Sequence, residues 1–137
     1  MEGNYSHDNE GGGVLICGAR DSDVRFNVFE NDGGGEIVFS CPTQRDAVRI
    51  VHNTISMPVG GTAQVVRHNR TSGTASVLFA NNVVLDLNGG GYDWPAPVTA
   101  QGNLYAGTVP ASAPADATAS TPPGLSLIHI SEPTRPY

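Results

Sequence analysis

The sequence predicts an all-β chain folded as a stacked solenoid, on three observations. An asparagine set between two short, apolar-alternating runs recurs at Asn4, Asn27, Asn53, Asn82 and Asn103, at spacings of 23, 26, 29 and 21 residues. A period in the twenties, carried by strand-like segments, marks units that stack on one another. The 137 residues include 17 Gly and 10 Pro and are only 15% charged, so turns are frequent and long amphipathic helices have no place. Finally, the first two repeats align without a gap. Asn4-Tyr5-Ser6-His7-Asp8-Asn9-Glu10-Gly11-Gly12-Gly13 lies over Asn27-Val28-Phe29-Glu30-Asn31-Asp32-Gly33-Gly34-Gly35-Glu36, residue for residue at an offset of 23.

Each repeat reads in order as a strand, a bend at Asn, a second short strand, a Gly-rich turn and a third strand. Before the bend, period-two alternation puts Val24, Ile50 and Phe79 inside and Arg25, Val51 and Ala80 outside. By the same alternation Phe26 and His52 are expected to face inward. At the bend, asparagine is expected to adopt left-handed backbone angles, which it tolerates better than other non-glycine residues. Its amide both donates and accepts, so stacked copies can bond to one another as a structural ladder. Third strands are expected at residues 14–16, 37–39 and 63–67, the last lengthened by an insertion around Pro58-Val59-Gly60-Gly61. Residues 76–86 follow and run into Asn88-Gly89-Gly90-Gly91. The repeats thus occupy residues 1–107. The Pro/Ala/Ser/Thr-rich stretch 108–124 buries little and reads as an extended strap or linker.

Residues 125–137 stand apart. Leu125-Ser126-Leu127-Ile128-His129-Ile130-Ser131-Glu132-Pro133-Thr134-Arg135 resembles the translation of a transposase-end adaptor used in sequencing libraries. The segment is therefore expected to be a non-native tail and is set aside from fold reasoning. The chain also opens in mid-repeat with Met1-Glu2-Gly3-Asn4, without a signal peptide, so an N-terminal portion is expected to be missing.

A net charge of −6, with all seven basic residues Arg, argues against nucleic acid as a partner. No apolar run approaches the roughly 18 residues of a membrane span. Cys17 and Cys41 lie 24 residues apart, close to one repeat. Neighbouring strands about 4.8 Å apart permit a disulfide in an oxidising compartment. The favoured expectation is instead two buried thiols packed in adjacent repeats.

The stretches Asn4-Tyr5-Ser6-His7-Asp8-Asn9, Val24-Arg25-Phe26-Asn27-Val28, His52-Asn53-Thr54-Ile55 and Ala80-Asn81-Asn82-Val83-Val84 resemble successive coils of right-handed parallel β-helix proteins. These are the pectate-lyase-like solenoids of secreted bacterial proteins. The resemblance covers residues 4–107 and implies a fragment of about four to five coils from a secreted or cell-surface protein. It implies action on, or binding of, an extracellular polysaccharide, by a polysaccharide lyase or glycoside hydrolase if the protein is catalytic. The alternative is a non-catalytic carbohydrate-binding or adhesin-like structural solenoid.

Chemistry is expected just past the first two bends, where stacking sets His7 over Glu30, Asp8 over Asn31 and Asn9 over Asp32, with Glu36 nearby. Carboxylates on adjacent repeats would sit about 5 Å apart, close to the separation a retaining glycosidase uses. His7, Asp8, Glu30, Asp32 and Glu36 are thus candidate catalytic residues. The same oxygen-rich set would suit Ca²⁺, on which lyases of the resembling family often depend. These residue types also serve solvated turns, as Asx side chains that bond their own backbone. Arg25 is a candidate contact to an anionic sugar, and Tyr92 and Trp94 are candidate stacking residues for a sugar ring. His52 and His68 rank lower. Asn69-Arg70-Thr71 formally fits a glycosylation acceptor.

Overall fold

A computed structural model describes residues 1–18, 20–41, 47–61, 63–69, 76–95 and 97–116. Among them the chain is all-β, with parallel strands in three sheets and no helix. The strands are β1 (Tyr5–His7), β2 (Val14–Ile16), β3 (Ser22–Arg25), β4 (Val28–Glu30), β5 (Ile37–Phe39) and β6 (Val48–Val51). They continue with β7 (Thr54–Met57), β8 (Val66–His68), β9 (Val77–Ala80), β10 (Val83–Asp86), β11 (Val98–Gln101) and β12 (Leu104–Gly107). The first sheet runs β1-β4-β7-β10-β12, the second β3-β6-β9-β11 and the third β2-β5-β8. Each strand therefore bonds mainly to the strand three places away. Among the described residues between β10 and β11, the third sheet is represented by a bridge from Tyr92 to Val66. This arrangement is compatible with the expected parallel β-helix.

Strict register builds the core. Ser6, Phe29, Ile55, Val84 and Tyr105 are successive partners in the first sheet. Val24, Ile50, Phe79 and Ala100 are partners in the second. Phe29, Ile55, Val84, Ile50 and Phe79 have no exposed surface. Their β-branched and aromatic side chains suit a pleated surface that is buried on one side. The expected inward set Val24, Ile50 and Phe79 is buried, as is Ala80, which alternation had placed outside. Residues 76–86 divide at the Asn82 bend into β9 and β10.

The asparagine ladder is continuous. Asn4 donates from its backbone N and its Nδ2 to Asn27 Oδ1, both at 3.0 Å. Asn27 donates in the same way to Asn53 Oδ1, Asn53 to Asn82 Oδ1, and Asn82 to Asn103 Oδ1, at 2.9–3.1 Å. Nδ2 of Asn53, Asn82 and Asn103 also reaches the carbonyls of Val24, Ile50 and Phe79. One expectation is corrected: the left-handed residue is the one before each asparagine. Gly3, Phe26, His52, Asn81 and Gly102 have φ of 69°, 55°, 56°, 54° and 65°. The turn in φ throws Phe26 and His52 outward, and both are exposed where alternation predicted burial.

Other close approaches fix the turns. A Cβ at Gly34 would overlap the Gly11 carbonyl, so the stacked glycine turns leave no space for a side chain there. Cys17 and Cys41 form a disulfide, with Cα atoms 4.7 Å apart, joining the chain just past β2 to the chain just past β5. Cys17 is exposed and Cys41 half-buried, so the expectation of two buried thiols is corrected.

The described part of the strap, residues 108–116, packs on the last repeat. Val109 and Ala113 lie against the core, and Ser112 Oγ accepts from Tyr92 N at 3.0 Å. Asp116 Oδ2 accepts from Asn103 N at 3.4 Å and Nδ2 at 3.0 Å, taking the place of a further asparagine at the end of the ladder. The remainder of the strap and the expected adaptor-derived tail lie outside the described residues, as do Arg70 and Thr71 of the glycosylation pattern.

Candidate functional site

The turns after β1 and β4 do stack as the alignment predicts. His7 pairs with Glu30 across the two strands. Asp8 donates its N–H to Glu30 O at 3.1 Å and accepts at Oδ1 from Asn31 Nδ2 at 2.7 Å. His7 Nδ1 lies 3.2 Å from Asp8 Oδ2. The Asn31 amide, and then His7, hold the Asp8 carboxyl below its ordinary value. Tyr5 Oη donates to Glu30 Oε2 at 2.6 Å, and the Tyr5 and His7 rings stack at 4.7 Å with planes 22° apart. All of these side chains are exposed on the outer side of the first sheet.

Asp32 and Glu36 point the other way and are fully buried. Asp32 Oδ1 accepts from Asn9 N at 3.0 Å and Asn9 Nδ2 at 2.7 Å, while Oδ2 accepts from Ser6 Oγ at 2.9 Å. Glu36 Oε1 accepts from Asp32 N at 3.1 Å, and its Oε2 has no hydrogen-bond partner. Burial, reinforced by the neighbouring Asp32 carboxylate, pushes the Glu36 carboxyl up to about 8. At neutral pH Glu36 is thus a protonated acid that holds a turn. The five predicted catalytic residues consequently form two groups. His7, Asp8 and Glu30 meet solvent, whereas Asp32 ties adjacent repeats together, Glu36 holds its own turn, and neither presents surface to a polymer.

The predicted substrate contacts are placed differently again. Arg25 is exposed but pairs with Glu2 at 2.7 Å, and its guanidinium carbon lies 5.8 Å from the centre of the Phe26 ring. Tyr92, expected as a surface platform, is buried, which corrects that reading. It meets Phe79 and Tyr105 edge-on, at 6.3 and 6.4 Å, and stacks at 6.0 Å on a half-buried Trp94. Trp94 packs edge-on against Phe79 at 5.4 Å. A run of apolar partners from three repeats draws this aromatic pair into the core. Burial raises the Tyr92 and Tyr105 hydroxyls well above the ordinary phenol range.

A Ca²⁺ ion needs six to eight oxygen ligands. Of the Asp32 and Glu36 carboxylate oxygens, three already accept hydrogen bonds and only Glu36 Oε2 is left. Asp8 and Glu30 face solvent while Asp32 and Glu36 are buried, so the predicted set does not converge on one ion, and among the described residues no group of three or more His, Cys, Asp or Glu side chains is placed to hold a metal. No described helix is long and apolar enough to cross a membrane.

The sequence reading missed Tyr5, Phe26 and His52 as surface rings. Phe26 and His52 stack on each other at 5.3 Å with planes 9° apart. The signal was present in the residue before each asparagine, where Gly3, His52, Asn81 and Gly102 are types that favour a left-handed backbone and Phe26 is the exception. Comparison of the chain with protein-family models, with curated proteins and with solved structures finds no match.

Proposed function

We propose that the chain is a segment of about four to five coils of a right-handed parallel β-helix, from a secreted or cell-surface protein, and that it binds an extracellular polysaccharide without cleaving it. The observation that carries this reading is the exposed Tyr5–His7 stack bonded to Glu30 on the outer face of the first sheet. Flat rings with hydrogen-bonding rims suit the apolar faces and hydroxyl edges of sugars. Pairing of every third strand supports the solenoid. The Cys17–Cys41 bond supports an oxidising compartment. A binding role is favoured over catalysis because Asp32 and Glu36 are buried, Asp32 bonded to the preceding repeat and Glu36 to its own turn.

Affinity electrophoresis through gels holding neutral or acidic polysaccharides tests the proposal. Retardation is expected, and Tyr5→Ala and His7→Ala are expected to reduce it. Migration unchanged by every polymer would refute binding. Release of reducing ends or unsaturated sugars, lost in Asp32→Asn and Glu36→Gln, would replace it with the glycoside hydrolase or lyase reading.

A further inference from the structure

The corner between the second and first sheets carries a local conflict. Five equivalent positions, Gly3, Phe26, His52, Asn81 and Gly102, all have left-handed φ. Glycine takes that conformation without strain, and asparagine takes it readily. Histidine is enriched there as well, but a bulky phenyl ring is an outlier, and holding Phe26 there is costly unless its surroundings compensate. Phe26 is nevertheless 56% exposed, so little burial offsets the strain. The two middle repeats therefore place rings where the outer ones show that smaller residues serve the backbone equally well.

The rings form an ordered stack. The Arg25 guanidinium lies over Phe26, and Phe26 stacks on His52 with nearly parallel planes. Beyond His52 the next two positions are Asn81 and Gly102, so the ridge steps down from rings to small residues. Among the described residues no ring continues the stack past His52.

Charge narrows the occupant. Arg25 is bonded to Glu2, and Arg49, on the adjoining face of the second sheet, is bonded to Asp21 and Asp23. Neither guanidinium is left unpaired for an acidic sugar, and the net charge of −6 repels polyanions. We infer that the Arg25–Phe26–His52 corner is a subsite for one pyranose unit of a neutral glycan, whose C–H face continues the ring stack. The inference rests on the polysaccharide-binding reading and names its ligand class and a second contact point.

The test uses the full chain with Phe26→Gly, His52→Gly and Phe26→Asn, all compatible with a left-handed backbone. Affinity electrophoresis is run with hydroxyethylcellulose, a soluble β-1,3-glucan, a mannan and polygalacturonate. Retardation is expected from at least one neutral polymer, weakened about tenfold in the glycine variants, as loss of a stacked ring implies. Their melting temperatures are expected to be unchanged or higher, which a merely structural role for the rings would not give. Neutral-polymer binding that survives all three variants but falls in Tyr5→Ala would overturn the corner while leaving the polysaccharide reading standing. Preference for polygalacturonate would overturn the neutral assignment. Failure to bind any of the four would remove both.

Discussion

Replacing Glu36 by glutamine should change how stability depends on pH. The carboxyl moves from an ordinary 4.5 to about 8 because it is buried beside Asp32. A folded-state value above the unfolded one means that the native state holds the proton more tightly. The stability associated with that proton is complete below about pH 4.5 and is lost as pH rises through about 8. Taking 1.36 kcal/mol for each tenfold step, the whole span is worth about 5 kcal/mol. Between pH 5 and 8 alone, the wild-type chain should lose roughly 3–4 kcal/mol through this group. Glutamine keeps the acceptor for Asp32 N and has no proton to release. Urea unfolding followed by circular dichroism at pH 5, 6.5 and 8 should show wild-type stability falling relative to Glu36→Gln. The difference between the two proteins cancels the titration of the groups that do not interact with Glu36. Parallel stability profiles would refute the assignment of a neutral, buried acid.

Asn53→Ala removes the middle member of the ladder and leaves the amide of Asn27 and Oδ1 of Asn82 short of partners in the core. A loss of about 3–5 kcal/mol is expected in the same assay, since several buried groups lose their bonds together. Asp116→Ala should cost less, about 1–2 kcal/mol, because it acts at the end of the ladder, on the donors of Asn103 and on the neighbouring Tyr105 hydroxyl. Reduction of the Cys17–Cys41 bond, which closes a separation of 24 residues, should lower stability by about 3 kcal/mol in the loop-entropy picture. Unfolding with and without reductant, compared with Cys41→Ser, checks it: the variant should match the reduced protein and show no response to reductant.

Much of the architecture was legible because period-two alternation and the recurring asparagine are local signals. Val24, Ile50 and Phe79 alternate in sequence as they do in space, and the amides that follow them line up. The errors arose where one backbone angle redirects a side chain. A left-handed φ at residues 26 and 52 interrupts the alternation, so Phe26 and His52 turn outward although their spacing says otherwise. The site was less legible, for a different reason. His7, Asp8, Glu30, Asp32 and Glu36 look alike as a polar cluster in sequence. Burial sorts them, and burial depends on Ser6, Asn9 and the glycine turns of neighbouring repeats. Tyr92 likewise follows polar and glycine residues, yet Phe79 and Tyr105 from other strands enclose it.

The column of amides has a head and a tail. Each of Asn27, Asn53, Asn82 and Asn103 gives two hydrogens onward and receives two from the asparagine before it, so the dipoles add instead of cancelling, as they do along a helix axis. The final pair of hydrogens therefore calls for an acceptor, and the Asp116 carboxyl supplies the oxygen where a further carboxamide would pass the demand along. Lengthening such a protein by whole repeats inserted upstream of Asn103 keeps this terminus intact. Shortening it past Asp116 removes the one oxygen that brings the series to a close.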